Sequence, residues 1–322
     1  MPTSPRDSSS PDSSDSTLPI VVDLTALGLT TPALHLTGKD ARSFLHRLST
    51  QALLDDDDGA TAKLTCLLDK KGKVHDVVQV GGSSDDVWAV GWPGASRSLF
   101  DLLDPFHFAE QMEMQDAAVA SVVIIGAGKG AYTARVDGDV HVWGLPDVLV
   151  DGEATSASLL WSADRDALDA VVAAYDATTL DADGFADLRL QNGWPLVGVD
   201  VGPFTNPLEV DLHDALSWTK GCYVGQEVVS RIDNYDKQKK RLVRVVAEAG
   251  GVLDDNLTYD VHRDGATIGK TTSVHGASGQ ALALLKIAHD EVDGADVRLV
   301  VDGVDVAATT TSRPWAQPPH ND

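Results

Sequence analysis

The segment TKGCYVGQE, residues 219–227, places a cysteine where chemistry is a better explanation than packing. Cys222 lies two residues after Lys220 and next to Gly221, whereas a structural cysteine usually has apolar neighbours. Thiols react as thiolates, which a nearby cation stabilises. Glycines at 221 and 225 let the backbone come close to a ligand. The segment therefore predicts a functional thiol at Cys222 assisted by Lys220, with an inert thiol as the alternative.

The other cysteine, Cys66, lies in the apolar stretch KLTCLL and is expected to be part of the core. Positions 66 and 222 give neither a disulfide framework nor the spacing of metal ligands. We therefore predict no metal site.

A carboxylate interrupts an apolar strand in KVHDVVQV. Alternation places Asp76 on one face with Val74, Val78 and Val80. A buried carboxylate is costly unless it is paired or used, and burial raises its pKa toward the range that general acid–base catalysis needs. The alternative is an edge-strand aspartate that reaches water.

Two further polar features have a functional and a structural interpretation each. Glu209, in NPLEVDL, could accept hydrogen bonds from a ligand with adjacent N–H donors, or it could cap a helix. A basic group could bind a polyanionic tail or could be a solvated loop. Its members are Lys237, Lys239, Lys240, Arg241 and Arg244.

The elements that position these residues are mixed. Strands are predicted for PALHLTG and for AKLTCLLDKKGKVHDVVQV, and the second of these segments contains two strands joined at Asp69 to Gly72. A helix with Asp40 as its N-cap is predicted for KDARSFLHRLST. Short alternating strands with glycine turns follow from Val243 to about Thr311, which is typical of a small β-barrel. The chain is therefore expected to be α+β with mainly antiparallel sheets.

A glycine pattern at residues 122–131, VVIIGAGKGA, resembles the dinucleotide-binding fingerprint through Gly126, Gly128 and Ala131. That fingerprint requires a helix directly afterwards, because the helix N-terminus binds the pyrophosphate. The following YTARVDGDVHVWG has strand-like spacing, so a hairpin is predicted instead.

The composition is strongly acidic, with 49 Asp and Glu against 25 Lys and Arg and a net charge of -24. Concentrated salt would screen the self-repulsion of such a surface, so the composition favours a salt-rich, halophilic cytoplasm, with an acidic protein of a mesophile as the alternative. The same field argues against stable binding to nucleic acid. Residues 1–17 are expected to be a disordered tail without a signal peptide, and the chain lacks an apolar run that could span a membrane.

The octapeptide KGCYVGQE resembles the K-G-C-Y-x-G-Q-E signature of YgfZ-type folate-binding proteins, which are relatives of the glycine-cleavage T protein, an aminomethyltransferase. GKDARSFLHRLST, DKKGKV, RLQNGWPLVGVD, NPLE and GATIGKTTSV resemble further segments of that superfamily. The likeness covers roughly residues 30 to 300. It implies a GcvT-like multi-domain ring around a central channel for tetrahydrofolate.

The resemblance implies domains at 18–235, an α+β folate-binding region of two interleaved domains, and at 236–314, the β-barrel, before a loose tail at 315–322. It implies Cys222, Asp76 and Lys220 as the reactive residues. The folate-binding residues it implies are Glu209, Asp76, Tyr223, Gly225, Gln226, Glu227 and Arg231.

The function expected from this resemblance is a tetrahydrofolate-binding accessory protein for the assembly or repair of iron–sulfur enzymes, including tRNA-modifying ones. Its partners would be those enzymes or cluster carriers. One alternative is a folate-dependent aminomethyl- or one-carbon transferase, in which Asp76 acts and Cys222 is dispensable. Another is a folate-independent scaffold. Whether the protein is an enzyme stays open at this point.

Overall fold

The computed structural model describes residues 19–54, 58–94, 97–127, 133–235, 238–248 and 253–313. The predicted tails at 1–17 and 315–322, together with Gly128, Ala131 and Lys237, lie outside the described residues.

The strands follow one another along the chain with few helices between them. In chain order they are β1 (Ile20–Asp23), β2 (Ala33–Thr37), β3 (Asp58–Leu68), β4 (Val74–Ser83), β5 (Asp86–Gly91), β6 (Glu113–Ala117), β7 (Ala120–Ile125), β8 (Ala134–Asp137), β9 (Val140–Val150), β10 (Glu153–Ser162), β11 (Thr178–Thr179), β12 (Arg241–Ala247), β13 (Asp260–Arg263), β14 (Ala266–His275), β15 (Gln280–Leu285), β16 (Asp296–Val301) and β17 (Val304–Thr311). The helices are α1 (Ala41–Leu48), α2 (Leu99–Leu103), α3 (Arg165–Val172), α4 (Ala182–Asn192) and α5 (Gln226–Asn234).

Two sheets pack face to face in the first two thirds of the chain. Among the described residues, one has the order β11-β1-β7-β10-β9-β8, and the other, β3-β4-β5-β2-β6, is inserted between β1 and β7. Apolar side chains from both sheets, such as Val90 from one and Trp143 from the other, share one core cluster. On the outer faces α1 packs through Phe44 and Leu45, and α3 through Leu168, so the layers run helix, sheet, sheet, helix.

The end of the chain forms a closed barrel in the order β12-β15-β14-β13-β16-β17 within the described part. Alternating apolar residues such as Val245, Val261 and Leu299 fill its interior. The predicted α+β class, the mainly antiparallel sheets and the C-terminal β-barrel are confirmed.

Several local predictions are correct and others need revision. The hairpin predicted after Gly126 is formed by β8 and β9, so the described residues from 133 onward continue in strands and not in a helix. Asp40 occupies the N-cap position of α1, but its carboxylate accepts from the Gln111 backbone N–H at 2.7 Å and makes no side-chain cap. Helix α5 was missed by the sequence analysis, because its polar sequence hides a single apolar face that includes Val229.

One core cluster joins both parts of the molecule. It contains Cys66 and Val77 from β3 and β4, Tyr223 from the KGCYVGQE segment, and Leu242 and Leu282 from the barrel. Side chains of the candidate site therefore lie where the sheets and the barrel meet. No helix among the described residues is long and apolar enough to cross a membrane.

Candidate functional site

The tight turn between β3 and β4 is the centre of the candidate site. The Asp69 carboxylate accepts hydrogen bonds from the backbone N–H groups of Lys71 and Lys73, both at 2.8 Å. Gly72 completes the turn with a φ of 69°, a left-handed value that favours glycine. The predicted turn at Asp69 to Gly72 is thus built by its own side chains.

The start of α5 packs directly against this turn. Gly225 has a φ of 84°, and a Cβ atom there would lie 2.6 Å from the Asp69 carbonyl oxygen. A Cβ on Gly72 would lie 3.1 Å from the Cβ of Val228 in α5. The two glycines therefore allow a backbone approach that side chains would prevent, and this contact fixes the KGCYVGQE segment beside the β3–β4 hairpin.

Glu209 approaches the same hairpin from a different segment. Its Oε2 atom accepts from the Asn206 backbone N–H at 3.0 Å, while the Asn206 side chain accepts from the N–H groups of Leu208 and Glu209, which makes a capping box. The same oxygen lies 3.3 Å from the Lys73 ammonium. The helix-capping role that the sequence left open is therefore present, at the short 3-10 helix Pro207–Val210. Oε1 accepts no hydrogen bond from the described residues.

Asp76 is 2% exposed and lies near the start of β4. A register shift in the β3–β4 ladder places it opposite Leu67, so Val74 joins a different cluster from Val78, and the predicted shared face is broken at that point. Its Oδ1 accepts from the Val77 backbone N–H at 2.8 Å.

Burial raises the pKa of Asp76 to about 7, against opposing effects of the Val77 N–H and the charge of Arg97. Oδ2 has no hydrogen-bond partner among the described residues. At neutral pH this carboxyl is present in both protonation states, which suits a group that takes up or releases a proton.

Lys220 serves as an anchor for its loop. Its ammonium donates to the backbone carbonyls of His46, Ser49 at 2.7 Å and Gln51 at 3.0 Å, at and just after the C-terminal end of α1. Cations are favoured at that end of a helix. Burial lowers the pKa of Lys220 to about 8, so the amine is still mostly charged at neutral pH. Its hydrogen bonds thus go to α1, although the sequence placed it beside Cys222.

Cys222 is exposed, in contrast to buried Cys66. The next residue, Tyr223, is buried in the central cluster, and its ring centroid lies 5.4 Å from the Lys220 ammonium. Burial and the neighbouring Cys66 raise the pKa of Tyr223 to about 12, which keeps the phenol neutral. The loop is therefore held inward at Lys220 and Tyr223, and the thiol between them reaches solvent.

The other predicted folate-binding residues lie on α5. Glu227 and Arg231 are exposed and form an ion pair with each other across one helical turn. Gln226 is half-buried, and its backbone N–H donates to the Tyr223 carbonyl at 3.3 Å. The turn between β3 and β4 thus contacts Glu209 through Lys73 and packs against Gly225 of the signature. The same hairpin carries Asp76, on β4. The roles of all these residues in binding and catalysis stay predictions.

The sequence analysis missed a pair of tryptophans, one of which follows the strand next to β4. Trp92 and Trp194 have ring centroids 5.6 Å apart, and the backbone N–H of Trp92 donates to the Val77 carbonyl at 2.7 Å. Together with Leu145 they line a slot of about 20 Å³. The Nε1–H of Trp194 is buried without a partner among the described residues, whereas that of Trp92 donates to a backbone carbonyl.

A signal for this pair existed in the sequence. Both tryptophans occur in the tripeptide GWP, at 91–93 and at 193–195. Residues that are 102 positions apart cannot be paired from periodicity, so only the repeated tripeptide could have linked them. We call this feature the GWP slot.

The comparisons with known proteins agree with this architecture. Residues 239–318 match the family described as CAF17, C-terminal beta-barrel domain. Aminomethyltransferase T of the glycine cleavage system from Bartonella henselae has the same fold, with a TM-score of 0.74 and 15% identity over 93% of this chain and 86% of that one.

Curated relatives give partial matches. A provisionally named chloroplastic transferase of Arabidopsis thaliana is 23% identical over 80% of this chain and 62% of its own length. An aminomethyltransferase of Mycolicibacterium paratuberculosis is 32% identical over 36% of this chain and 32% of its own. The tRNA-modifying protein YgfZ of Blochmanniella pennsylvanica is 30% identical over 25% of this chain and 24% of its own. The matches thus span 62% or less of these relatives. Residues 239–318 therefore match the CAF17 C-terminal barrel, and the chain as a whole has the fold of that aminomethyltransferase.

Proposed function

We propose that this chain is a cytoplasmic tetrahydrofolate-binding accessory protein that supports assembly or repair of iron–sulfur enzymes, including tRNA-modifying ones. The observation that carries the proposal is the separation of two reactive groups. A buried carboxyl with a pKa of about 7, Asp76, lies on β4, where the next residue accepts a hydrogen bond from the backbone of Trp92 in the GWP slot, whereas the thiol of Cys222 is exposed. Such an arrangement suits a small molecule inside and a protein partner outside.

The residues of the GWP slot, together with Asp76 and Glu209 at the β3–β4 hairpin, fit a reduced folate in type. A pterin ring is flat and carries N–H donors as well as a carbonyl. Trp92 and Trp194 offer indole faces for stacking, and the unpaired Nε1–H of Trp194 offers a donor. Asp76 Oδ2 and Glu209 Oε1 are acceptors that the described residues leave unused. A buried polar atom without a partner is costly, so the Nε1–H of Trp194 favours a ligand, and the two free carboxylate oxygens could accept from it.

The slot has to open for that ligand to enter. Its 20 Å³ is room for about one water molecule, far less than a pterin ring needs. Trp92 is half-buried, so displacement of its ring is the smaller rearrangement compared with Trp194, which is 4% exposed. Binding should therefore change the environment of at least one indole.

Bound tetrahydrofolate would supply a nitrogen that can carry a one-carbon unit. The protein's own contribution is to hold a proton at Asp76 and to exclude water. The burial that raises the pKa of Asp76 keeps the carboxyl poised near neutrality, so Oδ2 can donate or accept a proton within the physiological pH range.

The exposed thiol is the group that would meet iron–sulfur enzymes or cluster carriers. Cys222 lies on a loop fixed by Lys220, so thiol exchange or transient ligation needs no unfolding. Clusters are held by several thiolates, and Cys66 is buried. Any cluster on Cys222 would therefore be shared with thiols of a partner.

A second candidate, a one-carbon or aminomethyl transferase, is favoured by the fold of the Bartonella henselae protein and by the poised Asp76. In that case the chemistry would depend on Asp76 and not on Cys222. A folate-independent scaffold would depend on neither residue for binding.

The test is a calorimetric titration with tetrahydrofolate, in low and in molar salt, of the wild-type protein and the variants Asp76→Asn, Trp194→Phe and Cys222→Ser. We expect Cys222→Ser to bind as the wild type does, and Asp76→Asn to bind at least about tenfold more weakly, because a charged acceptor is lost. Thr219→Ser, an exposed change in the same loop, is the matched control.

The second half of the test asks what the thiol does. The same variants are expressed in a strain that lacks its own homologue, and the activity of an iron–sulfur enzyme is measured. We expect Cys222→Ser to fail and Thr219→Ser to succeed. Restored activity with Cys222→Ser but not with Asp76→Asn would support the transferase instead. If the wild type does not bind tetrahydrofolate, the scaffold interpretation remains.

A further inference from the structure

A second cleft lies between the two sheets, at the other end of β5 from the GWP slot. Its volume is about 320 Å³, within the usual range of small-molecule sites. Its lining includes Asp86, Trp88, Ala134, Arg135, His141 and Trp143. Trp88 and Trp92 are four residues apart on one extended segment, roughly 13 Å, so the two sites are distinct. We call this feature the hairpin cleft.

The aromatic walls of the hairpin cleft are held in place by a stack of rings. His35 lies parallel to Trp88 at 4.2 Å, and His141 lies parallel to Trp161 at 3.9 Å. Trp161 also contacts Trp88 and Trp143, with ring centroids 4.9 and 5.1 Å away. Burial lowers the pKa of His141, so its ring is neutral at pH 7. Rings fixed in this way form a preorganised stacking surface.

Glycines permit close packing beside the cleft. A Cβ on Gly81 would lie 3.0 Å from the Trp143 ring, and one on Gly82 would lie 2.3 Å from the Asp86 carbonyl oxygen. The β3–β4 ladder also breaks here, since the pair Asp58–Ser83 is followed by Ala62–Gly81. The extra residues interrupt the regular pairing at this edge of the sheet.

Two polar groups at the cleft have unused hydrogen-bonding capacity. The Nε–H of Arg135 is buried and has no partner among the described residues. Its other end makes only a long contact of 3.5 Å with Asp137. Asp86 accepts from His35 through Oδ1 at 3.0 Å, and its Oδ2 accepts no hydrogen bond from the described residues. The cleft therefore offers stacking faces, one donor and one acceptor.

We infer that the hairpin cleft binds a nucleobase-sized heteroaromatic ring, as a free base or nucleoside. Such rings stack on aromatic side chains, and base–aromatic stacking contributes about 1–3 kcal/mol per base. Their edges carry both N–H donors and carbonyl or ring-nitrogen acceptors, which match the carboxylate of Asp86 and the guanidinium of Arg135. Arg135 is the cation among the lining residues, and the chain carries a net charge of -24, so a nucleic acid strand is disfavoured.

The experiment titrates the full chain with adenosine, guanosine, cytidine and uridine, and separately with a short single-stranded oligonucleotide, by tryptophan fluorescence and calorimetry. We expect one or more nucleosides to bind at a 1:1 ratio and to quench fluorescence. Arg135→Gln should weaken binding about tenfold, because a hydrogen bond from a charged donor is lost. Arg298→Gln, an exposed change on the barrel, should leave binding unchanged.

An occluding variant tests the position of the ligand. Ala134→Leu adds bulk inside the cleft and should abolish binding, whereas Val304→Leu on an exposed barrel hairpin should not. Thermal unfolding of each variant checks that it is folded. The proposal is overturned if none of the nucleosides binds, if Ala134→Leu binds normally, or if only the oligonucleotide binds. Asp76→Asn should not affect nucleoside binding, so failure here is distinguishable from failure of the folate proposal.

Discussion

Asp76 and Asp200 are both buried, but their surroundings differ. Asp200 is 0% exposed and lies at the junction between the sheets and the barrel. Its carboxylate accepts from Arg189 at 3.3 Å and from the hydroxyls of Thr272 and Ser273 in β14. The backbone N–H of residue 196 donates to the same group at 2.8 Å. Both oxygens of Asp200 are fully used.

Asp76, by contrast, has one hydrogen bond, to the backbone N–H of the next residue, and no ion-pair partner in the described structure. The two sites show that a fold can satisfy a buried carboxylate with hydrogen bonds, as at Asp200, or leave part of its hydrogen-bonding capacity unused, as at Asp76. The hydrogen bonds of Asp200 link its loop to the barrel, whereas burial raises the pKa of Asp76 to about 7 because its one hydrogen bond and the charge of Arg97 do not offset the loss of water. A buried group that the fold does not satisfy is the better candidate for ligand binding.

The largest loss of stability should come from removing the charge of Asp200, whose two oxygens are both hydrogen-bonded. Asp200→Asn leaves the Arg189 guanidinium buried, 9% exposed by side chain, without a counter-charge. We expect a loss of about 3–5 kcal/mol in the free energy of unfolding, as for other broken buried ion pairs. Chemical denaturation in molar salt measures it. A loss below about 1 kcal/mol would show that the junction is not held by this residue.

Asp76→Asn should increase the free energy of unfolding, whereas Asp200→Asn should decrease it. The folded-state pKa of about 7 lies above the ordinary value of about 3.9, so the wild type is destabilised as pH rises from about 4 to about 7. At pH 8 we expect Asp76→Asn to be more stable by about 2–4 kcal/mol, and the difference should disappear near pH 4. Denaturation curves over this pH range measure it. A difference that does not change with pH would contradict the assigned pKa.

A smaller loss is expected at the loop anchor. Lys220→Met removes the donor to three carbonyls around the end of α1, which should cost about 1–3 kcal/mol. The loop should also loosen, so the thiol at 222 should react faster with an aromatic disulfide. Lys286→Met, at an exposed position in the barrel, is the control. Unchanged stability and reaction rate would mean that Lys220 does not hold the loop.

The smallest effect on stability should come from the exposed thiol. Cys222→Ser is expected to change the free energy of unfolding by less than about 0.5 kcal/mol, as exposed substitutions usually do. In the folded wild type, Cys222 should react with a thiol reagent and Cys66 should react only after unfolding, because burial raises the pKa of Cys66 to about 12. Rapid reaction of both cysteines before unfolding would contradict the packing of the central cluster.

Local sequence patterns predicted the helices and strands whose formation depends only on residues close in the sequence. The β3–β4 hairpin, the strands of the barrel and the carboxylate in β4 follow from alternation and turn residues over a few positions. Helix α5 was missed, since it begins at Gly225 without a side-chain cap and has a mostly polar sequence. Its position depends on contact with a distant turn at Gly72.

The sequence predicted which residues belong to the candidate site, but it did not predict which atoms those residues contact. The sequence left Glu209 with two roles because a carboxylate that caps a helix and one that binds a ligand look the same there. The fold assigns one oxygen to the cap and leaves the other unused. Lys220 is two residues from Cys222, yet its ammonium bonds the carbonyl of His46, 174 residues earlier. The GWP slot joins segments that only the folded chain brings together.

By itself, the sequence determined the fold class, the acidic character and the family resemblance, because periodicity, composition and a specific octapeptide are local properties. Tertiary structure decided which polar atoms are satisfied. Burial and hydrogen bonding depend on segments far apart in the chain, and these set the charge and availability of a group. That is why Asp76 and Asp200 look alike in the sequence, while only the folded protein distinguishes a poised carboxyl from a structural one.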